Sequence, residues 1–344
     1  MTDEISHNYL LYIAAFACAF AVSLLLTPVT KRIAAHFGAI DYPRSRGMHK
    51  EPVPRMGGMA IVVSFLLTML VLTPFVEDLR TRQFAGFACG AVIIFLLGMA
   101  DDVYTLGAKP KLCVQVIAAV VAVASGIRIN TSFLPFYGIL QPFEIPITVV
   151  WIVGLTNAVN LIDGLDGLAA GVSSIGSLCI MALCFLSGGE MALVFSVTLT
   201  GATLGFLPRN FNPAEVIMGD TGSTFLGYVL AVSSIIGVFK YYTLLSVVIA
   251  LLALALPIFD TAFAMTRRAI KGKPIMSPDR GHLHHRLIDS GMSPKTAVVL
   301  LWAVSALSAV IAILIAARDY RAVIIVLAAL ALLSLMVFLY RRRL

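Results

Sequence analysis

The chain has 344 residues, of which 60% are hydrophobic and only 12% charged, with a formal net charge of +7. A soluble domain carries about 45–50% apolar and about 25% charged residues, so no aqueous fold of this length hides so much apolar surface. The composition excludes a secreted disulfide scaffold, a disordered chain and a soluble nucleic-acid binder, and leaves a polytopic membrane protein.

A bilayer-spanning helix needs about 20 mostly apolar residues. In chain order such segments run over 8–28, 56–76, 84–101, 112–128, 144–161, 167–187, 190–207, 222–239, 241–265, 296–316 and 321–340. The expected fold is all-α: a polytopic transmembrane helical bundle of about eleven spans, read as one integral membrane domain over 1–344. The first span is too long for a cleaved secretory signal, and Asp3 and Glu4 precede it.

Lys and Arg in the connections set the orientation. Lys31, Arg32, Arg44, Arg46, Lys50 and Arg55 follow the first span, and Lys109, Lys111, Arg209, Arg267, Arg268, Arg280, Arg286 and the closing Arg341, Arg342 and Arg343 fall on the same side. Arg80, Arg82, Arg128, Lys240, Arg318 and Arg321 lie opposite. The rule puts the N-terminus outside and the C-terminus in the cytosol of a plasma or inner membrane. The five cysteines all sit inside apolar segments, without a C-x-x-C pair, and read as small buried hydrophobes.

Carboxylates at membrane depth are costly, so their positions inform. Asp101 and Asp102 end the third span, Asp163 and Asp166 follow the fifth, and Asp220 precedes the eighth; all three sites fall on the cytosolic side. The fifth span exits through Asn157-Ala-Val-Asn160-Leu-Ile-Asp163-Gly164-Leu-Asp166-Gly167. Steps of three drift by about 60° on an ideal helix, so Gly164 and Gly167 suggest that the helix loosens and turns its carboxylates to a common point. Carboxylate and amide oxygens without cysteine suit Mg²⁺, with Mn²⁺ as the alternative. Met218-Gly219-Asp220-Thr221-Gly222-Ser223 puts an acid and small hydroxyls at a helix start, where free N–H groups favour a phosphate or, more plainly, an N-cap by Asp220 or Ser223.

Basic and histidine residues complete the set. Lys111 opens the fourth span, placed either to reach a phosphate or to snorkel at the interface. Arg280-Gly-His282-Leu-His284-His285 lies in the loop before the tenth span and fits an anion better than zinc, since no cysteine accompanies it. The first connection, Asp41 to Gly58, is rich in Pro, Gly and positive charge; it reads as an anion-binding loop or as a topology signal alone. Asp260 is expected to pair with Arg267 or Arg268.

Asp101-Asp102, the 157–168 segment, Met218-Gly-Asp220-Thr-Gly-Ser223 and His282-Leu-His284-His285, in this order and spacing, resemble the polyprenyl-phosphate N-acetylhexosamine-1-phosphate transferases, most of all the bacterial undecaprenyl-phosphate N-acetylglucosamine-1-phosphate group. The resemblance covers nearly the whole chain. It implies that the phosphate of undecaprenyl phosphate attacks a UDP-sugar, releasing UMP, with the active site on the cytosolic face. By the same resemblance Asp220 and Asn160 match Mg²⁺ ligands and Lys111 a pyrophosphate contact, while Asp166 matches the uracil-recognising position. Asp101 matches the residue proposed to deprotonate the lipid phosphate, with Asp102 beside it and Asp163 placed with them in the catalytic set. Asn157, Arg280, His282, His284 and His285 join the substrate-binding set. Ile217 departs from a position that is often aromatic in the family. The partners implied are a UDP-sugar and undecaprenyl phosphate, with no nucleic acid, and a homodimer is admitted. Three other readings remain at this point. They are the same reaction with another UDP-N-acetylhexosamine, including UDP-MurNAc-pentapeptide, a transporter of anionic sugars, and a CDP-alcohol phosphatidyltransferase, whose full signature the chain lacks.

Overall fold

The computed structural model describes residues 9–42, 51–132, 137–238, 244–272 and 282–329. Its long helices are α1 (Tyr9–Phe37), α2 (Gly58–Leu72), α3 (Arg82–Tyr104), α4 (Ala108–Ala124), α5 (Glu144–Ile162), α6 (Leu168–Ser187) and α7 (Glu190–Asn210). They are followed by α8 (Gly219–Gly237), α9 (Leu244–Ala253), α10 (Ala255–Ile270), the short α11 (Leu283–Asp289), α12 (Pro294–Ala316) and α13 (Tyr320–Ala329). Among the described residues six helices are long and apolar enough to cross a membrane, or seven if α9 and α10 count as one bent span. The first ten expected spans each fall on helix; the last overlaps α13, and its remainder lies outside the described residues. The only strands among the described residues, β1 (Ile40–Asp41) and β2 (Val53–Pro54), form one antiparallel pair.

Two expectations need correction. The ninth span, read as continuous, breaks at Leu254 with a bend of 91° between its halves. Pro257 explains the break: it has no N–H to give, and its ring clashes with the carbonyl of Ala253, four residues back. The cysteines are not uniformly buried either. Cys179 and Cys184 are, but Cys89 and Cys113 lie on the outer face of α3 and α4, where a small apolar side chain meets lipid at no cost.

Helix α8 is the axis of the bundle. It packs against α2, α3, α5, α6 and α7, and almost every side chain on it is buried. Without a hydrophobic drive between helices in lipid, close backbone approach holds such a bundle, and small residues permit it. A Cβ on Gly98 would lie 2.5 Å from the Thr221 Cα, and one on Gly227 2.6 Å from the Thr156 Cα. Two buried hydroxyls on α8 turn inward to their own helix: Ser223 donates to Gly219 O at 2.9 Å and Thr224 to Asp220 O at 2.6 Å.

The bundle has two distinct polar ends. At one end Tyr12 donates to Glu190 at 3.4 Å, and the amide of Met191 donates to Asp78 at 3.2 Å. At the other end the termini of α3, α4, α5 and α8 meet. The connection before α2 is fastened there: Ile217 N donates to Pro54 O at 2.8 Å, Gly57 N to Ile217 O at 2.9 Å and Gly58 N to Met218 O at 2.8 Å.

Gly58→Ala tests the close packing. Its Cβ would lie 2.2 Å from backbone atoms of Gly222, which have no flexible end to yield. Overpacking of this kind costs about 1–3 kcal/mol. The thermal midpoint in detergent should fall for Gly58→Ala, whereas Gly154→Ala, inside α5 with nothing within 4 Å, should hold it or raise it slightly.

Candidate active site

The site begins with Asp102. This carboxylate is 3% exposed and lies opposite the first turn of α8. Its Oδ1 accepts the Asp220 amide at 2.9 Å, and its Oδ2 accepts the Thr221 amide at 3.0 Å and the Thr221 hydroxyl at 2.6 Å. A helix N-terminus carries unsatisfied N–H groups and about half a positive charge, so it compensates a buried anion well. Gly219 makes room: it has φ +71°, and a Cβ there would lie 2.5 Å from Asp102 Oδ2. The sequence reading expected a phosphate at this helix start, or a cap from Asp220 or Ser223. The cap comes instead from Asp102, on another helix, which occupies the amides that a phosphate would need.

Asp101 is the neighbour that faces the other way. Its Oδ1 accepts the Leu106 amide at 2.7 Å, closing the end of α3, and its Oδ2 accepts Lys111 Nζ at 2.9 Å. Lys111 reaches on to Asp220 Oδ2 in a second ion pair. Asn160 Nδ2 donates to that same oxygen at 2.9 Å. One ammonium therefore ties α3, α4 and α8 together, and one amide adds α5. Removing a single member leaves its partner's charge without compensation in a partly buried site.

Asp163 closes α5 and stands just outside it, at φ −76° and ψ 48°. The helix ends here as the two glycines suggested, and Gly167 takes φ +78° before α6 begins. Burial first, then the negative charges of Asp220, Asp102 and Asp166, hold the Asp163 carboxyl well above the ordinary carboxylate range; Arg55 opposes them. Asp166 points to a different task. Its Oδ2 accepts Asn212 Nδ2 at 3.1 Å and the Ala214 amide at 3.0 Å, while Gly167 N donates to Asn210 Oδ1 at 3.0 Å. The 163–167 turn and the 210–216 connection are thus latched together. Asn157 sits apart from the carboxylates, in a mutual amide pair with Gln115 of α4: Nδ2 donates to Gln115 Oε1 at 2.6 Å and receives at Oδ1 across 3.4 Å.

The histidine segment docks on this turn. Asp260 gives both oxygens to it, Oδ2 to His282 Nδ1 at 2.9 Å and Oδ1 to the Leu283 amide at 2.8 Å. Its expected pairing with Arg267 or Arg268 thus gives way to the start of α11. His284 is 2% exposed, and a Cβ on Gly164 would lie 2.3 Å from its Nε2. Burial lowers its pKa to about 4, so the ring stays neutral at physiological pH. The His285 ring lies beside it, tilted by 44°, at 4.3 Å between ring centroids. Arg280, singled out in the sequence, lies outside the described residues.

Sequence reasoning missed several participants. Asn210, Asn212 and Gln115 were silent because their roles are contacts made across helices, and Thr221 was read as one of the hydroxyls at a helix start, without its partner Asp102. Arg55 was visible only as one charge in a basic loop.

The donor set at this corner is made of oxygens. Among the described residues no three His, Cys, Asp or Glu side chains are spaced to hold a metal by themselves. Asp220 shares its Oδ2 between Lys111 and Asn160, whose own Oδ1 accepts no hydrogen bond among the described residues, and Asp163 beside them is a buried carboxyl whose ionised form the charges of Asp220, Asp102 and Asp166 disfavour. An oxygen-only set this sparse fits Mg²⁺, which takes one or two carboxylates and completes its shell with waters and substrate phosphate.

Fold and site define a polytopic membrane protein with an acidic, cation-bridged centre at one end of its bundle. A model of the family described as Glycosyl transferase family 4 matches residues 84–238, the stretch from α3 through α8. A Bacillus subtilis protein named a probable undecaprenyl-phosphate N-acetylglucosaminyl 1-phosphate transferase is 41% identical, covering 88% of this chain and 84% of its own length. A Mycobacterium tuberculosis decaprenyl-phosphate N-acetylglucosaminephosphotransferase is 34% identical, over 83% of this chain and 77% of its own length. A Staphylococcus saprophyticus phospho-N-acetylmuramoyl-pentapeptide-transferase is 32% identical, over 88% and 97%. The chain belongs to glycosyl transferase family 4, as a polyprenyl-phosphate sugar-phosphate transferase.

Asp163 supplies a pH test with a definite sign. Its carboxyl is raised in the fold, so it stabilises the metal-free protein below the ordinary carboxylate range, and that contribution is lost as pH climbs through the raised value. The thermal midpoint of metal-free protein should fall over that rise, and Asp163→Asn should flatten the dependence.

Proposed function

We propose that the protein transfers N-acetylglucosamine-1-phosphate from UDP-N-acetylglucosamine to undecaprenyl phosphate, releasing UMP, on the cytosolic face of the plasma or inner membrane. The observation that carries the reading is the meeting of Asp101, Asp102, Lys111, Asn160, Asp163 and Asp220 at one end of the bundle. The basic bias of the connections at that end favours the cytosol and puts the N-terminus outside. The names of the relatives support the donor and the acceptor.

Phosphoryl transfer asks a protein for positioning and charge neutralisation more than for covalent help. Asp220 and Asn160 would hold a Mg²⁺ ion, with Asp163 beside them, and the bound ion would neutralise phosphate charge as it builds. Lys111 supplies a second positive charge on the same carboxylate. Asp101 holds Lys111 Nζ at 2.9 Å, and we assign it to orienting that ammonium. The acceptor needs no base: a phosphate monoester has a second pKa near 6 and is mostly dianionic at pH 7. Its phosphate oxygen attacks the sugar-bearing phosphorus, the diphosphate bridge breaks, and UMP leaves with the electron pair. Asp166 and Asn210 hold the turn against which the uridine would lie.

A groove suits the lipid. Between α5 and α10 a cavity of about 450 Å³ is lined by apolar residues including Val150, Trp151, Ala158, Ile258 and Ala262. Ala158 is one turn before the end of α5, so a prenyl chain lying there would bring its phosphate to the Asn160–Asp163 corner. The Staphylococcus relative favours one second reading, in which the donor sugar is N-acetylmuramoyl-pentapeptide.

Detergent-purified protein given UDP-N-acetylglucosamine, Mg²⁺ and undecaprenyl phosphate should release UMP, and chelation should stop it until Mg²⁺ or Mn²⁺ returns. Asp220→Asn should lower turnover by about 10²–10³-fold without loss of folded protein. UMP only with UDP-MurNAc-pentapeptide would change the donor, and release of UDP would overturn the reaction. Ala262→Trp, which fills the groove, should raise KM for the lipid several-fold and leave KM for the nucleotide-sugar unchanged.

A further inference from the structure

Arg55 stands beside the acidic centre, close enough to act on Asp163. Its position is fixed on three sides. The Arg55 amide donates to Ala39 O at 2.9 Å, and Pro54 before it accepts the Ile217 amide at 2.8 Å. Gly57 and Gly58 after it donate to Ile217 O and Met218 O. Neither glycine tolerates a Cβ, which would meet Ile217 O at 2.7 Å and the Gly222 backbone at 2.2 Å. Arg55 is therefore held against the strand of chain that enters Asp220, and not on a free loop.

The side chain is half-buried and makes no hydrogen bond or ion pair among the described residues. It nevertheless acts on Asp163 as the cation that offsets the surrounding carboxylates. Lys111, by contrast, is committed twice, to Asp101 and to Asp220. A nucleotide-sugar brings two phosphate charges into a centre already rich in carboxylates, so it needs a cation with donors to spare. A guanidinium offers five N–H groups in a planar fork that matches phosphate oxygens in pairs.

We propose that Arg55 is a substrate-contacting residue whose guanidinium binds the diphosphate of the nucleotide-sugar donor and holds it against the Asp163–Asp220 centre. The inference rests on the donor being a UDP-sugar, as argued above. The same fork could take the phosphate of the lipid acceptor, and the test separates the two.

Full-length wild-type protein, Arg55→Ala and Arg55→Lys are titrated calorimetrically in Mg²⁺ with uridine, UMP, UDP and UDP-N-acetylglucosamine, without lipid. Arg55→Ala should weaken UDP and UDP-N-acetylglucosamine by about 10–100-fold, the loss expected for hydrogen bonds to a charged group. UMP should lose less, uridine nothing, and Arg55→Lys should recover part of the loss. In turnover the KM for the donor should rise while that for undecaprenyl phosphate holds. An equal loss for uridine would mean that Arg55 merely shapes the loop and would overturn the proposal. So would unchanged UDP binding, or an effect confined to the lipid KM. Wild-type protein that binds none of the uridine ligands would overturn the donor reading itself, and the role of Arg55 with it.

Discussion

Everything at the polar end of this bundle depends on how one buried carboxylate is compensated. Asp102 is taken out of water, and such a charge persists only with good hydrogen bonds. The start of α8 supplies them: two backbone amides and one hydroxyl. Because those amides belong to Asp220 and Thr221, the bond fixes α3 against α8 and sets Asp220 beside Asp101. Lys111 can then reach both carboxylates at once. The closeness of α3 and α8 has its own requirement, small residues at Gly98 and Gly219, and the chain provides them. Packing and electrostatics here are one design.

Much of this was legible in the sequence, for a physical reason. Charged side chains are so disfavoured in lipid that those near span ends stand out, and alternation of spans tells which of them share a side. That logic gathered Asp101, Asp102, Asp163 and Asp220, while Lys111 stood out as a cation at the start of the next span and Asn160 through the polar motif and the family resemblance; the glycines at 164 and 167 marked the end of α5. What it could not do was assign partners. Asp101 and Asp102 are adjacent in sequence, yet one closes its own helix and holds Lys111 while the other caps a distant helix. Asn157 belongs to the same every-third-residue pattern as Asn160, but three residues on a helix turn it to face Gln115. Asp166 faces the 210–216 connection. The break at Leu254 was signalled by Pro257, and hydropathy, which averages over the segment, concealed it.

The membrane explains the rest of the layout. A polyprenyl acceptor keeps its chain in lipid while its phosphate stays at the interface; a nucleotide-sugar stays in water. On the proposed function the two can meet only where charged helix ends border an apolar groove. The corner formed by the end of α5, the start of α8 and the groove beside α10 is such a place. The groove runs along α10, the second half of the bent α9–α10 pair. Catalysis then needs little beyond holding two phosphates in line and offsetting their charge.

The central claim is that this centre moves a phosphate together with its sugar. UDP-N-acetylglucosamine labelled with radioactive phosphorus at the sugar-bearing phosphate tests it most directly. After reaction with undecaprenyl phosphate and Mg²⁺, the account predicts the label in the lipid product and none in the released nucleotide. Label recovered in the nucleotide, with unlabelled phosphate linking sugar to lipid, would contradict it.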